Sequence, residues 1–437
     1  MSSDAQAITS PVAEVPLSRR FGAIWWAALL ASGALVLLLG YTLVSVSLLG
    51  VGVWGVNIPF VWGFDLINYA WWIGIANGAS LFAAILVLRR HDLRTAVNRF
   101  SEGVAFFAVI CAGIFPIFHL GRPWLFYWTF PYPATFQVWP QFRSTLTWDF
   151  WAISTHVIVT SLLWYVGLIP DLATLRDRAR RRTTQTVYGV LALGWRGSVR
   201  HWAYHQRAYR LVAILVLPLI LIMQSTVAFE FAVTLVPDWH ETRQPLHFVA
   251  TGLAQGLSIV LLVAVLLRWG LRIGRYIDEG DIDLLGKLVL ASSLVSGYLY
   301  IDEFVFALLA DRMAQEATLN RMTGDYAGLY WAAIVYSIVI PQLFWFRAAR
   351  QSTVAGVFVG LSIGVGIWFD RFSIVVGGLQ MDYLPSIWRN YSPTLVETGL
   401  FLGTIGLFAV LLLLFVRFLP VVSMFETRHD EHQEKSS

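Results

Sequence analysis

Six acidic residues of this 437-residue chain lie inside or at the edges of long apolar stretches. A charged side chain at the centre of a membrane helix costs about 2.5 to 3.5 kcal/mol on insertion scales, so each acid is a functional candidate. Asp149 and Glu230 are the stronger candidates because apolar sequence continues on both sides of them. Asp65 and Asp370 could equally be solvated at an interface. The remaining two acids are Asp302 and Glu303.

Two histidines accompany these acids along the chain. His119 precedes Asp149 by 30 residues, so a returning loop can place the two side chains next to each other. That loop is rich in Trp, Tyr, Phe and Pro and also contains Arg122 and Arg143. His156 follows Asp149 by two helical turns, on the same face and about 10 Å deeper, where it serves either as a packing residue or as a proton relay.

Quinol oxidation requires such a mixture, because two protons and two electrons leave an apolar ring. A histidine with a pKa near neutrality can accept a hydroxyl proton, and a carboxylate can orient it or accept the other proton. A redox centre must take the electrons. The histidines show no spacing typical of bis-histidine haem, and the single Cys111 cannot hold an iron–sulfur cluster. We therefore expect neither group in this chain and an acceptor in another subunit.

The elements that position these residues are membrane helices. The chain is 57% hydrophobic and 13% charged, with a mean hydropathy of +0.64, which excludes soluble, disordered, collagen-like, disulfide-stapled and nucleic-acid-binding classes. The runs are apolar on nearly every face, unlike barrel strands, so we predict an all-α integral membrane protein. Ten runs reach the necessary length of about 20 residues: 21–49, 59–88, 103–121, 148–168, 209–235, 247–271, 286–310, 327–346, 353–370 and 396–419.

Basic residues orient these spans. Placing the amino terminus in the cytoplasm puts 24 of the 31 Lys and Arg residues on the cytoplasmic side, a strong positive-inside bias. Residues 1–20 and 420–437 are then cytoplasmic tails around one transmembrane domain, 21–419. All six acids fall in the extracytoplasmic half, and we predict no comparable acids in the other half. The basic stretch between spans 4 and 5 is either a topology anchor on anionic lipid or a docking surface for a cytoplasmic partner.

Eight segments, spread from span 3 to span 10, carry a resemblance to known proteins. They are FPIFHLGRPW at 115–124, FRSTLTWDFWAIST at 142–155, WYVGLIPDLA at 164–173, WRGSVRHW at 195–202, FEFAVTLVPDWHET at 229–242, YAGLYWAAIVYSIVIPQLFWF at 326–346, WFDRFSIVV at 368–376 and YSPTLVETGLFLGTIGLF at 391–408. These segments resemble the NrfD/PsrC family of quinone-interacting membrane subunits, and most closely the ActC-type quinol-binding subunits of bacterial alternative complex III.

The resemblance implies two four-helix bundles, approximately 59–235 and 247–370, with spans 1 and 10 flanking them. It also implies a quinol pocket, with menaquinol as the expected substrate, beneath an iron–sulfur peripheral subunit on the extracytoplasmic side of the bacterial cytoplasmic membrane. Multihaem cytochromes and a second NrfD-like membrane subunit are the other implied partners. No nucleic acid is expected among them.

Carried over residue by residue, the resemblance places the catalytic groups on His119, Asp149 and Glu230. The sequence departs from the family pattern at two positions. The position of Glu230 is usually occupied by Asp, and Gln224 replaces a histidine. The residues that we predict in the quinone pocket or a proton path are Arg122, Arg143, His156, Asp302, Glu303 and Asp370.

Two other functions stay open. A secondary transporter would use intramembrane acids to couple ions to a solute, but no clear helix break accompanies them in spans 5 and 7. A structural subunit would anchor redox partners without binding quinone. No nucleotide-binding loop occurs in the sequence, so ATP-driven transport is disfavoured.

Overall fold

The computed structural model describes residues 21–89, 93–129, 144–309, 312–380, 384–424 and 427. Within these ranges the chain has ten helices that are long and apolar enough to cross a membrane, which confirms the predicted class and number. We number them α1 to α10: Ala23–Leu49, Phe64–Arg89, Leu93–Phe118, Thr147–Arg178, Val199–Ala232, Gln244–Gly270, Glu279–Leu309, Ala327–Trp345, Thr353–Gln380 and Leu395–Phe418. The side of the membrane on which the termini lie stays a prediction.

Several helices extend well beyond their predicted ends, and three of these extensions contain buried charges. Helix α3 begins at Leu93, α4 continues to Arg178 and α9 continues to Gln380. Hydropathy ended these spans next to Glu102, Asp171 and Arg371, yet all three side chains are buried inside the protein. Since buried partners satisfy these groups, the helical backbone has no reason to stop there.

Helix packing produces two rings of four. Helices α2, α3, α4 and α5 contact one another in sequence and close through α5 and α2, and α6 to α9 form a second ring in the same way. This arrangement agrees with the two bundles that the resemblance implied. Helices α1 and α10 pack against each other, and α10 also contacts α3.

The two bundles meet where α2 crosses α6. Each helix carries two glycines four residues apart at this crossing, Gly74 and Gly78 on α2 and Gly252 and Gly256 on α6. A Cβ atom on Gly78 would lie only 2.1 Å from the backbone oxygen of Gly252. Small residues let membrane helices approach closely enough for backbone packing, so this crossing fixes the bundles relative to each other.

Successive helices run in opposite directions, so each bundle has the same two ends. One end, called here the His119 end, contains the start of α2, the end of α3, the start of α4 and the end of α5. The opposite end carries most of the arginines and is called the arginine-rich end. A short helix, Arg182–Leu191, connects α4 to α5 there. The predicted tails lie outside the described residues except for 420–424 and 427.

Candidate functional site

His119 and Asp149 line the same cavity of about 250 Å³ at the His119 end of the first bundle. The cavity is largely apolar, with Pro116, Ile117 and Ile153 among its walls. The two side chains thus lie near each other, as the sequence spacing predicted. Neither ring nitrogen of the buried His119 has a hydrogen-bond partner among the described residues, so this imidazole is available to a bound molecule.

Asp149 connects the cavity to two neighbouring helices. The hydroxyl of Tyr69 on α2 donates a hydrogen bond of 2.6 Å to Asp149 Oδ1. The carboxyl group of Glu230 on α5 is an electrostatic neighbour of that of Asp149. Two carboxylates that share a buried site repel each other, which favours a state in which one of them carries a proton. The three predicted catalytic residues therefore lie in one region of the first bundle.

Asp65 lies beside this group and is not solvated. Its residue is 1% exposed, and its Oδ2 atom lies 3.9 Å from His119 Nδ1. Its other oxygen accepts a hydrogen bond of 3.1 Å from the Gly63 N–H. The Trp62 ring meets the His119 ring edge to face, with 5.1 Å between their centroids. The α1–α2 loop and the first turn of α2 thereby hold one side of the imidazole.

Asp370 lies in the second bundle, where both of its carboxylate oxygens have hydrogen-bond partners. It interacts with His247 Nε2 at 3.1 Å, with Arg371 Nη1 at 2.8 Å and with the hydroxyl of Tyr300. Arg371 also donates a 2.6 Å hydrogen bond to Thr251. The sequence had suggested that span 9 ends at Asp370, next to an interface. Helix α9 instead continues to Gln380, so Asp370 is buried within the helix.

Asp302 and Glu303 belong to an ion-pair cluster at the rim of the second bundle. Asp302 lies 3.3 Å from Arg243, and Glu303 lies 2.7 Å from Arg321. Arg321 also contacts Asp238 at 3.0 Å. Burial raises the pKa of Asp238, and Arg321 opposes that rise. These pairings give both predicted proton-path acids structural partners outside the His119 cavity.

The prediction that the arginine-rich half lacks comparable acids is wrong. Glu102 and Asp171 are both buried near that end of the first bundle, where Arg99 lies 2.9 Å from Asp171 and 3.6 Å from Glu102. Asn98 donates a 2.9 Å hydrogen bond to Glu102, and the Tyr209 hydroxyl donates another. Hydropathy missed these acids because each stands just beyond a predicted apolar span.

The remaining predicted residues have different environments. His156 is buried in α4, and its Nε2 atom has no hydrogen-bond partner among the described residues. Arg122 is exposed at the surface of the His119 end. Arg143 lies outside the described residues, so its placement in the pocket stays a prediction.

Sequence reasoning did not identify Tyr69 as part of the site. The available signal was its spacing, since Tyr69 follows Asp65 by four residues and such residues share a helix face. Gln224, which replaces a histidine of the family pattern, hydrogen-bonds to Asn77 and donates a 2.9 Å bond to the backbone oxygen of Phe248. Gln224 thus has a packing role between α2, α5 and α6.

Among the described residues, no three His, Cys, Asp or Glu side chains are grouped so that they could hold a metal ion. The free Cys111 is buried in α3. The expectation that electrons leave through another subunit stays a prediction.

Comparison with known proteins identifies relatives over most of the chain. The C subunit of a selenate reductase from Mesobacillus selenatarsenatis is 22% identical over 392 residues, covering 85% of this chain and 88% of that protein. The putative membrane C subunit of a dimethyl sulfoxide reductase from Halobacterium salinarum is 23% identical over 397 residues, covering 84% and 85% respectively. The profile of the family described as "Polysulphide reductase, NrfD" matches residues 52–381, which include both bundles almost entirely. With well over half of its length matched and ten membrane-spanning helices, the chain belongs to the NrfD polysulphide reductase family of multi-pass membrane proteins.

Proposed function

We propose that this chain is the quinol-oxidising membrane subunit of a multisubunit oxidoreductase. One observation carries the proposal: His119 and Asp149 share an apolar cavity, and the buried carboxyl group of Glu230 interacts electrostatically with that of Asp149. A cavity of about 250 Å³ is slightly smaller than the roughly 300–1,000 Å³ of typical small-molecule sites. It therefore suits a quinone ring whose isoprenoid tail extends into lipid.

The site can accept both protons of a quinol. His119 accepts the proton of one hydroxyl group at a free ring nitrogen. The Asp149–Glu230 pair holds one proton and has acceptor oxygens for another, so it takes the proton of the second hydroxyl. Two O–H bonds are broken, two electrons leave the ring, and the quinone is released. Tyr69 keeps Asp149 oriented toward the cavity through its 2.6 Å hydrogen bond.

The two electrons pass to an iron–sulfur centre in a peripheral subunit at the His119 end. The basic-residue bias places this end on the extracytoplasmic side of a bacterial cytoplasmic membrane, where the protons are released. The relatives are named as components of a selenate reductase and of a dimethyl sulfoxide reductase, which supports the presence of partner subunits. The motif resemblance favours an alternative complex III, with menaquinol as donor, multihaem cytochromes and a second NrfD-like subunit.

Proton translocation is a second proposed activity, favoured by the acids at the arginine-rich end. His156 lies in α4 between Asp149 and Asp171, which are separated by about 33 Å along the helix at 1.5 Å per residue. Glu102 is close to the Asp171 end of this line through Arg99. When quinol is supplied to proteoliposomes that contain the complex, the pH change of the external medium should exceed the change caused by the scalar protons of quinol oxidation alone. A Glu102→Gln variant should lose that excess while continuing to oxidise quinol; release of scalar protons alone by the wild type contradicts translocation.

The test of the main proposal is quinol oxidation by the purified complex. Asp149→Asn and Glu230→Gln should each lower kcat by about 10²- to 10⁴-fold, the usual contribution of general acid–base catalysis. Asp177→Asn and Glu316→Gln make the same chemical changes at exposed positions and should leave kcat unchanged. Quinone should also co-purify with the wild-type complex.

The opposite outcomes identify the alternatives. Unchanged turnover in both site variants, with no quinone in the preparation, supports a structural anchor subunit. Solute flux that is independent of quinone supports a transporter. Mass spectrometry of the co-purified subunits separates the complexes: multihaem cytochromes and a second NrfD-like chain indicate alternative complex III, and a single reductase catalytic subunit indicates an enzyme of the kind that the relatives are named for.

A further inference from the structure

We propose that Asp65 is a positioning residue that orients His119 and stabilises its protonated form, a role that rests on the proposed quinol oxidation. The starting observation is the position of its Oδ2 atom, 3.9 Å from His119 Nδ1, with both side chains buried. This oxygen has no hydrogen-bond partner among the described residues. An unpaired carboxylate oxygen is costly to bury, and here it faces an equally unpaired imidazole.

The other oxygen of Asp65 has a separate task. Oδ1 accepts the Gly63 N–H at the start of α2, where the first backbone N–H groups of a helix have no intrahelical partner. This bond fixes the carboxylate on the helix and directs Oδ2 toward the histidine. Helix capping therefore explains one oxygen of Asp65, and the position of the second requires another explanation.

Orientation by Asp65 determines which nitrogen of His119 can react. A neutral imidazole has one donor and one acceptor nitrogen, and the partner of the donor selects the tautomer. Asp65 near Nδ1 favours the N–H at that position and leaves Nε2 as the acceptor for the quinol hydroxyl proton. When the proton arrives, the O–H bond of quinol breaks, an N–H bond forms at Nε2, and His119 becomes a cation. Asp65 stays ionised and balances this charge.

The distance of 3.9 Å is longer than a hydrogen bond. Catalytic hydrogen bonds are often long before the substrate is bound and shorten in the reacting complex. A charge-assisted N–H···O bond has a length of about 2.7–2.9 Å, so a movement of about 1 Å completes the pair. Trp62 packs edge to face against the His119 ring on this side of the cavity.

Other titratable groups around His119 also affect its proton affinity. Asp149 from α4 lies in the same cavity and connects to Tyr69 and Glu230. Glu397 from α10 acts electrostatically on Asp65 and is held by the Gly55 N–H at 2.8 Å. Among the described residues, Asp65 is the acid with an oxygen within 4 Å of a ring nitrogen of His119. Its removal should therefore change the proton affinity of His119 most directly.

The test uses substitutions that separate the two roles of Asp65. Asp65→Asn keeps an oxygen for the Gly63 N–H but removes the charge beside His119, and Asp65→Ser is a second variant that preserves a cap. We expect both to lower kcat of the assembled complex by about 10- to 100-fold, the usual effect of losing such an orienting partner. The quinol KM should stay unchanged, because Asp65 does not line the cavity.

The pH profile provides the readout that a structural role would not change. His119 must be neutral to accept a proton, so kcat falls on the acid side of the profile. Without the Asp65 charge the imidazolium is less stable, so this acid limb should move to lower pH in Asp65→Asn and Asp65→Ser. Asp65→Glu retains the charge and should keep the limb near its wild-type position.

Wild-type kcat and an unshifted acid limb in Asp65→Asn or Asp65→Ser would overturn this role and leave Asp65 as a helix cap only. A lower melting temperature together with a lower kcat, and with no shift of the acid limb in either variant, would also overturn the positioning role. Failure of the proposed function has a different signature, since the wild-type complex then does not oxidise quinol or His119→Ala retains full turnover.

Discussion

The two helix bundles contain similar polar residues at the same end of the molecule but satisfy them differently. In the first bundle, His119 and Asp149 face a cavity, and both ring nitrogens of His119 lack hydrogen-bond partners among the described residues. In the second bundle, Asp370 is bonded to His247, Tyr300 and Arg371. The same residue types therefore line a cavity in one bundle and form a paired network in the other.

This difference indicates that a candidate binding site and a structural network are distinguished by whether their buried polar side chains have partners within the protein, more than by residue type. Arg371 supplies the second bundle with a buried positive charge, and its guanidinium also lies 3.8 Å from the centre of the Phe248 ring. No arginine contacts Asp149 among the described interactions. A buried polar group left without a partner costs about 1–3 kcal/mol, so a protein retains such groups where a ligand will use them.

Replacing His119 or His247 by alanine should give the largest contrast between the two bundles in turnover and thermal stability. His119→Ala should lower quinol oxidation by about 10²- to 10⁴-fold, because it removes the proton acceptor, and should change the melting temperature little. His247→Ala should lower the melting temperature, because Asp370 loses a buried partner, and should leave kcat close to wild type. Turnover and thermal melting of the same purified complexes test both statements. Loss of turnover in His247→Ala alone would reverse the comparison.

Removing the Asp370 charge should destabilise the second bundle strongly. Asp370→Asn keeps the shape of the side chain but leaves the buried Arg371 without its anion, a change that costs about 3–5 kcal/mol in comparable pairs. Asp149→Asn is the matched substitution in the first bundle and should cost much less, since Asp149 has no cationic partner in the described structure. Tryptophan fluorescence during thermal unfolding measures the difference. Equal losses of stability would show that both clusters are supports.

Two tyrosines offer a smaller version of the same contrast. Tyr69→Phe removes one hydrogen bond to Asp149 and should lower kcat by about tenfold through misorientation of the carboxyl pair. Tyr300→Phe removes the corresponding bond to Asp370 and should lower stability by about 1.5–3 kcal/mol, as for bonds to charged groups. Parallel kinetic and unfolding measurements on both variants decide this. A catalytic defect confined to Tyr300→Phe would contradict the assignment of the two bundles.

The smallest expected effect concerns pH and the rim of the second bundle. Burial raises the pKa of Asp238, which lies between α5 and α6. A raised folded-state pKa means that the stability contributed by this group is complete below its ordinary pKa and is lost as the pH rises through the folded value. Asp238→Asn lacks this titration, so its stability relative to wild type should improve as the pH rises from about 4. A difference between the melting temperatures that stays constant with pH would contradict this account.

Much of the fold was predictable because membrane insertion depends on local composition. The number of spans, the helical class and the concentration of six acids near one end follow from hydropathy and from the cost of buried charge. The proximity of His119 and Asp149 was also predictable, since the two residues lie at opposite ends of the single connection between α3 and α4. The ends of α3, α4 and α9 were not, because hydropathy treats Glu102, Asp171 and Arg371 as span boundaries.

The amino-acid sequence by itself thus determined that the chain is a ten-helix membrane protein, and it predicted His119, Asp149 and Glu230 as candidates for proton chemistry. Tertiary structure alone decided which acids are paired, because pairing depends on helices far apart in the chain. Asp149 meets Tyr69 across 80 residues, and Asp370 meets His247 across 123. It also placed Asp65 beside His119. A buried charge is costly or stable according to its neighbours, and only the packed bundles specify those neighbours.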